Sequence, residues 1–304
     1  MGFFLFLIRP DFLNPGQLMI GTSKAWFCGN DGSVYELTGQ GGSWFPSYGK
    51  NFTYTGDYVI VPEGDSGDWK VKFLTSGTFT ATDALLIDVF AVGGGGGGGA
   101  SYPSSSNVGK QGGSTTGFNI TANGGYGVTD NTGEIAGNGG SGGGGCSNPT
   151  TTNTGGSDGS DGKGSGAGKG QGTTTREFGE TSGELYAGGG GGGTTNSALM
   201  NSTGGSGGGG HGGYGSGSTS NYPGKNGTAN TGGGGGGWAY SSEVSCGGGG
   251  GYTTTQKSVY LEKDREYEII IGDGGAGMIN GANPSLHYGG TGGSGILIIR
   301  NHRE

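Results

Sequence analysis

Charge is scarce in this chain: Asp, Glu, Lys and Arg make up 12% of 304 residues, while aromatic residues make up 10%. Disordered segments show the reverse balance, so the composition points to a folded protein. Proline is scarcer still, at 8 residues, and no Gly-X-Y period is kept, which excludes a collagen triple helix. Cysteine occurs three times, at Cys28, Cys146 and Cys246. An odd, sparse set is not a disulfide framework. A Cys146–Cys246 bridge and free thiols both stay open, and the count favours free thiols. No Cys/His spacing fits a zinc site, so neither metal nor cofactor is expected.

Long apolar runs are also lacking. The longest at the start, Phe3 to Ile8, is six residues and ends at Arg9-Pro10. It is too short for a membrane span and wrongly flanked for a secretory signal, so it reads as a strand and no membrane insertion is expected. Basic stripes are absent too. Lys and Arg are scattered singly and the formal net charge is −8, which repels phosphate and excludes a nucleic-acid partner.

Catalytic patterns are missing as well. The three histidines, His211, His287 and His302, stand near no nucleophile motif, and His302 in "RNHRE" reads as solvated. Gly-x-Ser-x-Gly matches arise from composition alone. A Walker loop fails because Ser157 stands where glycine is needed and Gly164 follows Lys163. Asp158 and Asp161 in "GGSDGSDGKG" fit no calcium-loop spacing and read as a solvated turn. No enzyme is expected.

What the chain has is glycine, 85 residues of it. Three zones emerge. Residues 1–50 are mixed and aromatic-rich, with a hairpin signal at Asn30-Asp31-Gly32 inside "AWFCGNDGSVYELTG". Residues 51–92 carry strand sequence, and "ALLIDVFAV" is apolar enough for a strand covered on both faces. Strand sequence returns at 252–304 in "KSVYLE", "EYEIII" and "GILIIR". The middle, 93–251, holds glycine runs at 93–99, 142–145, 188–193, 207–210, 232–237 and 247–251, separated by turn-forming polar segments.

A loose linker does not explain separated runs bracketed by strands. Side-chain-free rods in the three-residue polyproline II conformation can pack together and bond to one another; six residues would span roughly 19 Å. The expected fold is therefore all-β: a small antiparallel β-sandwich bracketing an inserted polyglycine II lattice, with no significant α-helix. The turns at the rod ends would carry Tyr102, Tyr126, His211, Tyr214, Tyr222, Trp238 and Tyr240, which are candidate receptor-binding residues because exposed rings offer large contact area at small entropic cost. The alternative is that some of these rings cap lattice edges and stay buried.

The order of parts supports a family reading. "FLTSGTFTATDALLIDVFAVGGGGGGGA", then glycine runs, then "KSVYLEKDREYEIIIGDGGAG" and "GGTGGSGILIIR" resembles the glycine-rich domain of phage and prophage tail proteins, over about 70–300. It is similar to tail-fibre tip adhesins, whose polyglycine II loops touch the host. The resemblance implies a virion tail protein that binds a bacterial cell-surface receptor, glycan or outer protein. Residues 1–50 would attach it to other tail proteins, as a single chain or a homotrimer. The alternative is a purely structural tail component.

Overall fold

The computed structural model describes residues 18–20, 25–28, 34–37, 52–63, 68–100, 108–129, 135–146, 152–195, 202–215, 221–240, 243–279 and 288–302. Among them there is no α-helix, and every strand pair is antiparallel. The fold is all-β.

Strands β1 (Leu18–Ile20), β2 (Ala25–Cys28) and β3 (Val34–Leu37) form one sheet. β2 and β3 pair with Cys28 opposite Val34, so they flank the Asn30-Asp31-Gly32 signal; the turn itself lies outside the described residues. Next come β4 (Phe52–Tyr54), β5 (Tyr58–Glu63), β6 (Asp68–Phe73), β7 (Gly77–Ala81) and β8 (Leu85–Val92). The short strands of the middle are β9 (Thr115–Gly117), β10 (Ile120–Ala122), β11 (Asn221–Tyr222), β12 (Ala239–Tyr240) and β13 (Glu243–Val244). The chain closes with β14 (Thr253–Leu261), β15 (Glu266–Ile269) and β16 (Ile296–Asn301).

Strands from both sides of the middle share sheets. One sheet runs β14-β8-β16-β6-β5 and the other β15-β7-β4. Their inner faces enclose Phe73, Phe79, Ile87, Val89, Leu261, Ile269, Leu297 and Ile299, each 0% exposed. β8 uses both faces, as its unbroken apolar run requires. Leu85, Ile87, Val89 and Ala91 point into this core, while Phe90 and Val92 point outward under Phe178 and Tyr186.

The β9–β10 hairpin docks on the same core. Phe118 and Asn119 form its two-residue turn, both with positive φ (49° and 64°), the geometry of a type I′ turn. Phenylalanine is a poor choice for that backbone. Its ring is buried, 5.2 Å from Phe79 and 5.4 Å from Tyr267, so core packing offsets a strain of roughly 1–2 kcal/mol.

The glycine runs begin where β8 ends. From Gly93 to Gly99 each backbone N–H donates to a different neighbour, and the neighbours recur every third residue. Gly93, Gly96 and Gly99 donate to Tyr252, Gly249 and Cys246; Gly94 and Gly97 donate to Gly113 and Lys110; Gly95 and Gly98 donate to Gly293 and Gly290. The carbonyls do the same with three other stretches. Gly94 and Gly97 accept from Gly125 and Val128, Gly95 and Gly98 from Gly275 and Met278, Gly96 and Gly99 from Gly235 and Trp238. The run thus has six neighbours, three antiparallel and three parallel. The packing reaches beyond 93–251, since 272–278 and 288–295 take part.

Close approach explains the composition. A Cβ built on Gly94, Gly95, Gly96, Gly97 or Gly98 would be driven into the backbone carbonyl of Asp273, Gly233, Tyr126, Ala276 or Gly236. Each hydrogen bond is worth a net of about 1 kcal/mol, and ordering a backbone costs about 1–2 kcal/mol per residue, more for glycine. The glycine body cannot hold itself together on hydrogen bonds alone. Side chains fasten both ends of it.

At the sandwich end the fastening is ionic. The segment 174–187 lies over the outer face of the larger sheet, and its glutamates meet basic residues there. Glu177 pairs with Lys70 at 2.6 Å, Glu184 with Lys72 at 2.7 Å, and Glu180 with Arg300 at 2.6 Å. Arg300 also donates to Asp88, 3.2 Å away on the next strand, and lies 4.1 Å over the Phe178 ring. His302 is not solvated as the tail sequence suggested: its Nδ1 lies 2.6 Å from Asp88.

Burial pushes the Asp88 carboxyl up, but hydrogen bonds from His302, the Ser258 backbone and Arg300 outweigh it and hold it below the usual carboxylate range. A carboxyl lowered by folding stabilises fully above its unfolded pKa of about 3.9, and that stability is lost as pH falls through the lower folded value. The melting temperature is therefore expected to hold from pH 7 to 5 and fall below pH 4. The acid loss should be smaller in Asp88→Asn; equal slopes in the two proteins would remove Asp88 from the account. Arg300→Met, which leaves Asp88 buried beside a missing cation, should cost about 3–5 kcal/mol in urea unfolding.

Candidate functional site

The hydrogen-bond register locates the turns along the runs. Gly93 adjoins the sandwich, so Gly99 and everything level with it lies at the far end. That end includes Ala100, Cys146, Thr194, Tyr214, Tyr222, Trp238, Cys246 and Met278, by the bonds Gly99 to Cys246, Trp238 to Gly99, Gly193 to Ser245, Thr194 to Gly213 and Met278 to Gly98. Two small apolar clusters close it. One joins Ala100, Trp238 and Met278; the other joins Val128, Ala136, Cys146 and Cys246.

Cys146 and Cys246 form a disulfide, with Cα atoms 4.7 Å apart, across 100 residues of sequence. The expectation of free thiols is corrected. Each cysteine follows or precedes a glycine run, and the bonds Gly247 to Gly144 and Gly250 to Ser141 bring those runs side by side.

The structure sorts the candidate aromatic residues. Tyr214 and Tyr222 come together, their rings 6.2 Å apart and inclined by 25°. Tyr222 sits on β11, which pairs with β12 and through it with β13. Tyr214 forms a parallel bridge with Thr194. Tyr222 is 51% exposed and Tyr214 half-buried. Trp238, the residue before β12, takes the buried alternative: it is 1% exposed against Ala100 and Met278. It anchors the small sheet from below and cannot meet a ligand.

Tyr126 stands apart. Its N–H donates to Asn138 and its carbonyl accepts from Gly249, which places it midway along the runs on a lateral face, 44% exposed. His211 is exposed, and its Nδ1 accepts from the Gly204 N–H at 3.3 Å. Tyr102 lies outside the described residues, as does the side chain of Tyr240, whose backbone is in β12.

Trp238→Ala is expected to cost about 3–5 kcal/mol in denaturant unfolding, whereas Tyr222→Ser should change stability by less than about 0.5 kcal/mol. Equal effects would show that the two rings had been sorted wrongly.

Two other constellations carry different chemistry. Asp158 is not merely solvated: it accepts from Thr174, the Thr175 N–H and Arg176, and the Thr174 bond leads in holding its carboxyl low. Asp161 accepts from Lys169 at 2.8 Å and from the Gly170 N–H at 2.9 Å. Both carboxylates are engaged in fastening turns. Among the described residues no group of three or more His, Cys, Asp or Glu could hold a metal ion.

Ser258, His302 and Asp88 meet from three distant segments. Ser258 Oγ lies 3.2 Å from Nε2 of His302 and 3.5 Å from Nδ1. It is within hydrogen-bond distance of the ring and nearer Nε2, while Nδ1 faces Asp88 at 2.6 Å. The trio pins the closing strand to a bulge in β14, where Gln256 and Val259 oppose Val89 and Ile87 with two residues between them.

No protein-family model, curated protein or solved structure matches the chain.

Proposed function

We propose that the chain is a tail-tip or tail-fibre protein of a phage or prophage particle. Its far end binds a receptor on the bacterial surface, and residues 1–50 join it to other tail proteins. The carrying observation is positional. The stacked, partly exposed Tyr214–Tyr222 pair stands at the opposite end of the glycine body from the sandwich, whose first strand, β4, begins at Phe52. The three-residue recurrence of hydrogen bonds fits polyglycine II rods, and the order of strands and glycine runs fits the tail-protein resemblance. A disulfide suits a protein working outside a reducing compartment.

The test is direct. Fluorescently labelled protein is applied to a panel of whole bacteria beside Tyr214→Ser/Tyr222→Ser. Selective staining of some strains, lost in a variant with unchanged melting, is expected. No staining by folded protein on any strain would favour the purely structural tail component.

A further inference from the structure

We infer that Ser258, His302 and Asp88 form a nucleophile, base and orienting carboxylate that hydrolyse short-chain carboxylic esters on the outer face of the larger sheet. The activity stands apart from receptor binding at the far end, and neither depends on the other.

The order of contacts is that of a serine acyl-transfer site. His302 Nδ1 lies 2.6 Å from Asp88 Oδ1, and Ser258 Oγ lies 3.2 Å from His302 Nε2. Asp88 is 0% exposed and also accepts from Arg300 Nε and the Ser258 N–H, both at 3.2 Å. A carboxylate held in this way keeps the imidazole proton on Nδ1 and leaves the Nε2 lone pair to act as base. The bond from serine to base is commonly long in an empty site and tightens when substrate binds.

Fastening alone does not account for the serine. The Ser258 N–H to Asp88 already ties the bulge to β8, so the hydroxyl on the imidazole is surplus to that purpose. Ser258 has φ +57°, an uncommon conformation for serine. It sits in the bulge between Gln256 and Val259. Backbone outliers cluster at functional sites, and bulges re-aim side chains beside them. Ser258 is exposed, so substrate can reach it.

The neighbouring side chains indicate the acyl group. Tyr260 opposes Leu86 across the β14–β8 pair, and the His302 N–H donates to the Leu86 carbonyl. Leu86 is 47% exposed and Tyr260 63%. Both share the outer face with Asp88, since Ile87, Val259 and Leu261 pack into the core. An acetyl or similarly short acyl chain finds apolar surface there, one residue pair away from the serine. An ester also asks least of such a site, because an alcohol leaves more readily than an amine.

In the reaction Ser258 Oγ bonds to the ester carbonyl carbon while its proton passes to His302 Nε2. The adduct collapses, and the alcohol oxygen departs with that proton. A water then attacks the acyl-serine, giving a proton to His302, which returns it to Ser258 Oγ as the acid leaves. Asp88 stays ionised throughout. The sum is ester and water to acid and alcohol.

The test uses the full-length protein with a fluorophosphonate, which bonds to activated serines with loss of fluoride, and with p-nitrophenyl acetate. Peptide mass spectrometry is expected to place the phosphonate on Ser258. Acetate release should fall at least about a hundredfold in Ser258→Ala, the share that base-assisted attack supplies. That variant keeps the backbone bond to Asp88 and should melt as the parent does. His302→Gln should lose phosphonate labelling to a similar degree. Protein without phosphonate on Ser258, or equal acetate release by the parent and Ser258→Ala, would overturn the site. Labelling unchanged in His302→Gln would overturn the base assignment. Faster turnover of p-nitrophenyl dodecanoate than of the acetate would overturn the short-chain class.

Discussion

Gly95→Ala is expected to destabilise the protein by about 3 kcal/mol or more, lowering the melting temperature by roughly 6–12 °C on the usual scaling for a chain of this size. Adding a methylene to an ordinary core costs about 1–3 kcal/mol because neighbouring side chains can shift. At Gly95 the obstacle is the carbonyl of Gly233, which has no rotamer to change. Gly95 also donates to Gly293 at 2.9 Å and accepts from Gly275 at 2.8 Å, so moving it breaks bonds on two sides. Gly95→Ala/Gly98→Ala should yield no cooperative unfolding at all.

The control is Gly172→Asn. Gly172 has φ +76° and nothing within 4 Å of a built Cβ, a conformation asparagine tolerates. Differential scanning calorimetry on the three variants decides the matter. An unchanged midpoint for Gly95→Ala would mean that the runs are not packed against each other.

The second large effect concerns the disulfide. Cross-linking residues 100 apart in sequence removes unfolded-state entropy worth up to about 4.7 kcal/mol in the chain-entropy account. Cys146→Ala/Cys246→Ala should therefore lose about 3–5 kcal/mol, part of it from the packing the two sulfurs share with Val128 and Ala136. Thiol titration of the denatured, unreduced protein checks the premise. One reactive thiol, Cys28, is expected; three would mean that the bridge does not form. Both cysteines are buried in the folded state, so reductant alone should act slowly, and reductant with moderate urea quickly.

The sandwich could be read from the sequence because side chains report their own surroundings. "LLIDVFAV" is apolar on both faces, and β8 is covered on both. The glycine runs could be recognised as ordered, but nothing in them said which run lies beside which. A residue without a side chain names no partner. For the same reason "GGGGCS" and "VSCGGGG" gave no hint that Cys146 faces Cys246. The ionic fastening stayed hidden because Lys70 and Lys72 lie more than a hundred residues from Glu177 and Glu184. Phe118 contradicts its own turn locally and makes sense only once Phe79 and Tyr267 are in place. Among the candidate rings, sequence could place Trp238 beside a glycine run but not say whether it faced out or in. Tyr214 and Tyr222 gave no sign of stacking, since the strand pairings that align them depend on backbone partners elsewhere.

The central glycine run has one more consequence, for the order of events at the ribosome. Residues 93–99 emerge well before their bonding partners, which extend to Gly290 and Gly293, and β8 waits for β16 at 296–301 to fill its second edge. Closure of such distant contacts is slow. Until those residues are made, the first run has donors and acceptors facing water and a strand edge open to other chains. Synthesis therefore carries a long window of exposure that closes only when β16 is available, and deletion of β16 should leave β8 and the first run present but not assembled.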